Sequence, residues 1–192
     1  MSQPEHITAL DLPLPARDEL DDDMRRYLDA CEQKLGMVPN VLRAYSFDQD
    51  QLRNFINQYN ELMLGDSSLS RLEREMIAVV VSSVNRCYYC LVAHGQAVRA
   101  LSADPRLGEI LGMNYRVAEL PDHQIAMLDF AVALTEEPEA VDEADRHVLR
   151  EAGFGDRAIW DIVAVTAFFN MTNRVAVGGD MMPNPEYHAM DR

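Results

Sequence analysis

Apolar residues recur along the chain at helical spacings of three and four, and almost never at the alternating spacing of a strand. The acidic run at 18–23 opens one helix, which Gly36 closes because glycine readily adopts the left-handed conformation that ends helices. The apolar stripe of this helix is Leu20, Met24, Leu28, Cys31 and Leu35. After a short turn at 37–40, a clearer amphipathic helix runs from Leu52 to Met63 and ends at Gly65. The pattern predicts an all-α fold.

The central part of the chain predicts a buried helix. Ser70 and Glu73 have the S-x-x-E spacing of a capping box, and the residues from Met76 to Val81 are apolar on every face. Glu75 therefore stands at the head of a helix inside the domain. Further helices are predicted from about Asp122 to Thr135, from an N-cap at Asp142 to Ala152, and from Asp156 to about Val177. The last helix is expected to be largely buried, with Trp160 in the core or in a contact between subunits.

The two ends of the chain differ from the helical part. Prolines interrupt the alternating leucines of residues 1–17, so we expect an extended N-terminal arm there, and residues 179–192 form a C-terminal tail. No linker or internal repeat divides the rest, and the chain is predicted to be one domain over 1–192. Because such ends cannot form a core alone, we expect them to wrap a neighbour in a closed homo-oligomer.

Composition narrows the function classes. With 192 residues, 48% of them hydrophobic, the chain is long enough to bury a core without cross-links. A net charge of −15 disfavours binding to nucleic acids and to anionic membranes. The N-terminus lacks the features of a secretory signal and no apolar run has the length of a membrane span, so we expect a cytoplasmic protein. Three cysteines are too few for a disulfide framework, which leaves redox chemistry or metal binding for the close pair.

The candidate chemistry lies between Glu75 and His94. Asn85 and Arg86 are expected to form a break between two helices. Asparagine readily adopts the left-handed conformation that ends one helix before the next begins. Glu75 lies ten residues before Asn85 and His94 lies nine residues after it. If the two helices fold back on each other, these residues stand at similar heights, because each residue rises about 1.5 Å. We therefore expect the carboxylate of Glu75 to meet the imidazole of His94.

Cys87, Cys90 and His94 share one face of the second helix at spacings of three and four. The first-turn N–H groups of a helix and a neighbouring imidazole both stabilise a thiolate, and Cys90 is expected to have both. Cys87 is placed to attack an oxidised Cys90 and form a disulfide. Glu75 would orient His94, completing a series of nucleophile, base and orienting group.

The same residues are compatible with other kinds of site. The cysteines could be core residues, or Cys87, Cys90, His94 and Glu75 could bind zinc as a structural site. A c-type haem is excluded because Leu91, not histidine, follows Cys90. A thioredoxin motif needs a preceding strand, which the pattern does not predict. Cys31 is expected to be a small core residue, and the remaining histidines are expected to be solvated surface residues.

The spacing E-x11-C-x2-C-x3-H, formed by Glu75, Cys87, Cys90 and His94, resembles the motif of alkyl hydroperoxidase D in the carboxymuconolactone decarboxylase superfamily. The strings KLGMVPNVLRA, LSRLEREMIAVVVSSVNRCYYC, AFFNMTNRVA and PNPEY resemble the peroxidase-related proteins of that superfamily over most of the chain.

The resemblance implies an all-α fold, assembly into trimers or hexamers, and reduction of hydroperoxides through a cysteine pair; we further predict that the protein needs neither a metal nor a flavin. It implies that Cys90 attacks the peroxide, that Cys87 resolves, and that Glu75 and His94 activate Cys90. The electron donor of the best-known members is a lipoylated protein. Tyr89 stands where the family has histidine; its phenol titrates near a pH of about 10 and is a poor base, although it can donate a hydrogen bond.

We therefore predict a thiol-dependent peroxidase that uses a thiol or dithiol reductant. The alternatives are a thiol–disulfide oxidoreductase or redox sensor acting on a protein partner, and a metal-stabilised structural module.

Overall fold

The computed structural model describes residues 3–192, so the first two residues of the predicted arm lie outside the described part. Within this part the chain contains α-helices and short helical turns but no strand, which confirms the all-α prediction. The α-helices are α1 (Asp22–Leu35), α2 (Asn40–Tyr45), α3 (Gln49–Tyr59), α4 (Arg71–Val84), α5 (Tyr88–Ser102), α6 (Leu107–Asn114), α7 (Asp122–Glu136), α8 (Glu143–Glu151) and α9 (Asp156–Gly178). One π-helical turn extends α3 through Asn60–Leu64 and ends before Gly65.

Helix α4 is the centre of the molecule. It packs against α5, α6, α7 and α9, and its residues from Met76 to Val81 are at most 1% exposed. The predicted capping box is present: the Ser70 hydroxyl accepts from the Glu73 N–H at 3.2 Å, and the Glu73 carboxylate accepts from the Ser70 N–H at 2.8 Å. Burial on all faces fixes the direction of α4 and therefore the position of Glu75, which is also buried.

A tight turn joins α4 to α5 as an antiparallel pair. The predicted break between Asn85 and Arg86 is correct, but the residue with positive φ is Arg86, at 54°, whereas Asn85 stays right-handed. Asn85 is held there because its side-chain amide donates to Asn170 at 3.1 Å and Asn173 at 3.0 Å, both on α9. The backbone N–H of Cys87 then bonds to the carbonyl of Ser82 at 2.9 Å, which sets the start of α5.

Two short helices, α2 and α6, were not predicted. Helix α2 occupies the segment after the expected turn, and α6 contains two glycines that weaken a helical pattern. Gly108 of α6 is required by tertiary packing, since a Cβ there would lie 2.5 Å from the carbonyl oxygen of Gly95 on α5. Of the two positions expected for Trp160, the core is excluded, because the residue is 68% exposed on the outer face of α9.

Both ends of the described chain pack on their own subunit. The N–H of Ala9 bonds to the carbonyl of Gly179 at 3.0 Å, and the N–H of Met182 bonds to that of Ile7 at 3.0 Å. The buried guanidinium of Arg99 on α5 donates to the carbonyls of Tyr187 at 2.8 Å and Met190 at 3.1 Å. The arm and tail therefore cover the surface of their own chain.

None of the helices in residues 3–192 combines the length and the apolar character needed to cross a membrane.

Candidate active site

The carboxylate of Glu75 and the imidazole of His94 are in contact, as the hairpin arithmetic predicted. Glu75 Oε2 lies 2.7 Å from His94 Nδ1, and the two side chains are 7% and 15% exposed. An ionised carboxylate can only accept, so Nδ1 carries the proton and Nε2 is left to face other groups. The ring edge packs against Phe169, with centroids 4.6 Å apart at 82°. The imidazole is thus fixed in both orientation and tautomer.

Cys87 and Cys90 lie at the start of α5 as free thiols that contact each other. Cys87 is the N-cap, and its sulfur accepts the backbone N–H of Cys90 at 3.4 Å. The neighbouring Cys90 side chain lowers the pKa of Cys87. The same contact, together with burial, raises the pKa of Cys90 well above its usual range. In the reduced pair, Cys87 carries the first negative charge.

This arrangement differs from the sequence expectation in two respects. The first-turn N–H was expected to stabilise Cys90, but α5 begins at Tyr88, so the N–H reaches Cys87 instead. Among the hydrogen bonds of the described residues, none joins His94 to either sulfur. His94 and Cys90 are one helical turn apart, which leaves room for a reacting group between them.

A buried polar network from α4 and α9 supports the two sulfurs, and sequence reasoning missed it. Asn173 and Ser82 are 0% exposed, and the Asn173 amide donates to the Ser82 hydroxyl at 3.0 Å. The same amide lies close enough to both sulfurs to lower the pKa of Cys87 and of Cys90. The available signal was the pair Asn170 and Asn173 within the apolar run of α9.

A cavity of about 640 Å³ lies beside this cluster. Cys90, His94 and Glu75 contribute to its wall, whereas Cys87 lies behind Cys90 and does not. Eight aromatic side chains make the wall mainly apolar: Tyr27, Tyr45, Tyr59, Tyr89, Tyr187, Phe55, Phe168 and Phe169. Of the two sulfurs of the pair, a ligand in this cavity would meet that of Cys90 first.

Tyr89 and Cys31 also line the cavity. Burial raises the pKa of Tyr89 well above its usual range, so this residue stays a neutral phenol, and its oxygen accepts the Val41 N–H at 3.0 Å. Its role in the structure is to join α5 to α2. Cys31 was expected in the core, but it is half-buried and faces the cavity; burial raises the pKa of its thiol.

The residues considered for zinc do not form a ligand set. Over residues 3–192, no three His, Cys, Asp or Glu side chains converge closely enough to hold a metal ion. The other histidines lie away from the sulfurs: His6 contacts Asp180 at 3.0 Å, His123 contacts Glu73 at 3.3 Å, and His188 contacts Tyr88 at 3.2 Å.

Comparison with known proteins places these residues in a family. The model of the carboxymuconolactone decarboxylase family matches residues 50–134. The crystal structure of an uncharacterized peroxidase-related protein from Silicibacter sp. is 60% identical over 100% of both chains, with a TM-score of 0.95. That of an uncharacterized peroxidase-related protein from Ralstonia eutropha, described as an alkylhydroperoxidase AhpD core, is 40% identical over 98% of both chains, with a TM-score of 0.94.

A more distant structure shows the fold alone. The debrominase Bmp8, in complex with 2,3,4-tribromopyrrole, is 18% identical over 98% of this chain and 97% of its own, with a TM-score of 0.78. Comparison with curated proteins gives no significant match. By its sequence identity and fold, the chain belongs to the carboxymuconolactone decarboxylase family, among the AhpD-like peroxidase-related proteins.

Proposed function

We propose that this protein is a thiol peroxidase that reduces hydroperoxides with the Cys87–Cys90 pair. One observation carries the proposal: the sulfur of Cys90 forms part of the wall of an apolar cavity, next to the fixed His94–Glu75 pair, while Cys87 contacts Cys90 from behind. A nucleophile open to substrate, a resolving thiol and a proton-transfer group are the parts that such a reaction needs.

The first step forms a sulfur–oxygen bond. The Cys90 sulfur attacks the terminal oxygen of the hydroperoxide while Nε2 of His94 takes the thiol proton, and the O–O bond breaks. The protonated imidazole gives this proton to the leaving alkoxide, which departs as an alcohol, and Cys87 remains a thiolate for the next step. Cys90 is oxidised to a sulfenic acid and the peroxide is reduced.

The second step forms the disulfide. The Cys87 sulfur attacks the sulfenic sulfur of Cys90 and releases the hydroxyl group, which leaves as water once protonated. An external dithiol then reduces the disulfide and is itself oxidised. Because Cys87 and Cys90 are 1% and 4% exposed, we favour a slender reductant that enters the cavity, such as the lipoyl arm of a lipoylated protein.

The alternative is a thiol–disulfide oxidoreductase acting on a protein partner. The burial of both sulfurs weighs against it, because the disulfide of a folded partner would have to reach Cys90 through the cavity.

The proposal is tested with Cys90→Ser and Cys87→Ser, both in a Cys31→Ser background so that only the pair can be oxidised. Cys90→Ser should abolish peroxide consumption. Cys87→Ser should consume about one equivalent and accumulate sulfenic acid on Cys90, because the first step survives and resolution does not. Peroxide loss by stopped flow and the site of oxidation by mass spectrometry give the readouts, with Cys31→Ser alone as the reference.

Fast peroxide loss by Cys90→Ser, with sulfenic acid on Cys87, would reverse the two roles. Slow peroxide loss by the reference protein combined with fast reduction of a protein disulfide would favour the oxidoreductase instead.

A further inference from the structure

The charge of the cavity wall is opposite in sign to that of the whole chain. The chain carries 32 acidic and 17 basic residues, yet the wall contains Lys34 and Arg71 and only one acid, Glu75. That acid is already paired with His94. The aromatic walls therefore combine with two positive side chains that no carboxylate of the wall neutralises.

Lys34 and Arg71 are also free of partners elsewhere. Both are exposed, and neither forms an ion pair with an acidic side chain in residues 3–192. Most of the other basic residues form ion pairs or, like Arg74 and Arg99, donate to backbone carbonyls. In a chain of net charge −15, two such cations on the wall of one cavity favour an anionic ligand there.

The geometry of the α4–α5 pair gives the distance between Arg71 and Cys90. Arg71 lies one turn before Glu75 on the same face of α4, and Cys90 lies one turn before His94 on α5. Since Glu75 meets His94 and the helices are antiparallel, Arg71 and Cys90 lie on opposite sides of that contact. Two turns separate them along the pair, about 12 Å.

We propose that the cavity binds apolar organic anions, with a carboxylate held by Arg71 and Lys34 and the hydrocarbon part among the aromatic side chains. The substrate class follows if the proposed function holds, on which this part rests. It is a fatty-acid-like carboxylate that carries a hydroperoxide group far along its hydrocarbon chain, so that this group lies at Cys90 when the carboxylate is bound. The cavity volume of about 640 Å³ is ample for a ligand of this kind.

Binding is measured first, without any redox step. Calorimetric titration of the reduced protein compares decanoate with the uncharged alcohol decanol. Decanoate should bind more tightly, and Arg71→Gln and Lys34→Gln should each weaken decanoate binding about threefold to fivefold, as expected for a solvent-exposed charge contact. Both substitutions should leave the affinity for decanol as it is.

The matched control is Arg26→Gln, which removes an exposed charge from α1, the helix of Lys34, outside the cavity. It should not change decanoate binding. Equal affinities for acid and alcohol, or an equal loss of decanoate affinity in Arg26→Gln, would overturn the inference, because the effect would then be absent or a general one of net charge.

Kinetics separate this inference from the proposed function. Linoleic acid hydroperoxide should be reduced with a lower KM than its methyl ester, and Arg71→Gln should remove that preference. Equal KM values for acid and ester would overturn the substrate class while leaving the peroxidase intact. Binding of decanoate without reduction of any hydroperoxide would overturn the peroxidase while leaving the anion site intact.

Discussion

Glu75 is a buried carboxylate with two separate reasons to be in its place. Its hydrogen bond with His94 ties α4 to α5, and the same contact fixes the orientation and tautomer of the imidazole. The first reason concerns stability and the second concerns chemistry. Substitution by glutamine keeps the shape of the side chain and removes only its charge.

We predict that Glu75→Gln slows alkylation of Cys90 near neutral pH by about tenfold in a Cys87→Ser background, the effect of about one pKa unit on that thiol. The glutamine lacks the charge that stabilises a protonated imidazole beside the thiolate. At strongly alkaline pH, Cys90 is a thiolate both with Glu75 in place and in the Glu75→Gln variant, so the two alkylation rates should converge. Glu73→Gln, which removes a carboxylate charge from the same helix without touching His94, is the control and should leave the profile in place. Superimposable profiles for Glu75→Gln would show that Glu75 only ties α4 to α5.

Asn173 acts on both sulfurs at once. Because its amide lowers the pKa of Cys87 and of Cys90, Asn173→Ala should raise both values and shift the pH profile of peroxide consumption to higher pH. Activity should fall near neutrality and recover as the pH rises. Asn170→Ala is the matched control, since it removes the other partner of Asn85 but does not contact the sulfurs. A shift of equal size in both variants would mean that Asn173 only stabilises the turn.

Helices α5 and α6 cross at a pair of glycines. A Cβ on Gly108 would lie 2.5 Å from the carbonyl oxygen of Gly95, while a Cβ on Gly95 would meet only the end of the Arg99 side chain at 3.9 Å. The requirement for glycine is therefore on α6 alone. Because α5 carries Cys90 and His94, this crossing also supports the site.

We expect Gly108→Ala to destabilise the protein by about 1–3 kcal/mol, since α6 must move away from α5. Gly95→Ala should instead stabilise it by about 0.5–1 kcal/mol, because alanine favours a helix and nothing obstructs its Cβ. Urea unfolding of the two variants measures both values. Equal changes of the same sign would show that the two helices do not approach as closely as described.

The outer surface of α9 points to association of whole molecules. Trp160 and Met171 are 68% and 43% exposed, and with Ala164 and Ala167 they form a stripe at helical spacing. A surface stripe of this kind often marks a protein interface. The arm and tail, in contrast, pack on their own chain, so the apolar surface that favours assembly is that of α9.

We predict a closed homo-oligomer, a trimer or hexamer as the family resemblance implies, with Trp160 in the interface. Light scattering at micromolar concentration should give a multiple of 21.7 kDa, and Trp160→Arg should shift it toward the monomer. Val148→Arg, at an exposed apolar residue of α8, is the control and should keep the assembly. A monomeric wild-type protein would contradict the prediction.

Local rules were sufficient for much of this protein. The start of α4 follows from Ser70 and Glu73, the end of α1 from Gly36, and the lengths of α7, α8 and α9 from periodicity and caps. The contact of Glu75 with His94 also follows from local quantities, because two helices joined by a short turn bring residues equally far from that turn to the same height. The family motif lies within this one hairpin.

Tertiary structure decided what depends on residues far apart in the chain. Asn173 reaches the sulfurs from α9, more than eighty positions away, and no spacing rule relates such residues. Which sulfur accepts the first-turn N–H depends on where α5 begins, and that was set by Arg86 and the asparagines packed on the turn. Tertiary packing also decides that Trp160 is exposed and that aromatic side chains line a cavity, because both depend on which helix faces pack against each other. Periodicity identifies an apolar face, but only packing determines whether another helix, a ligand or a second subunit covers it.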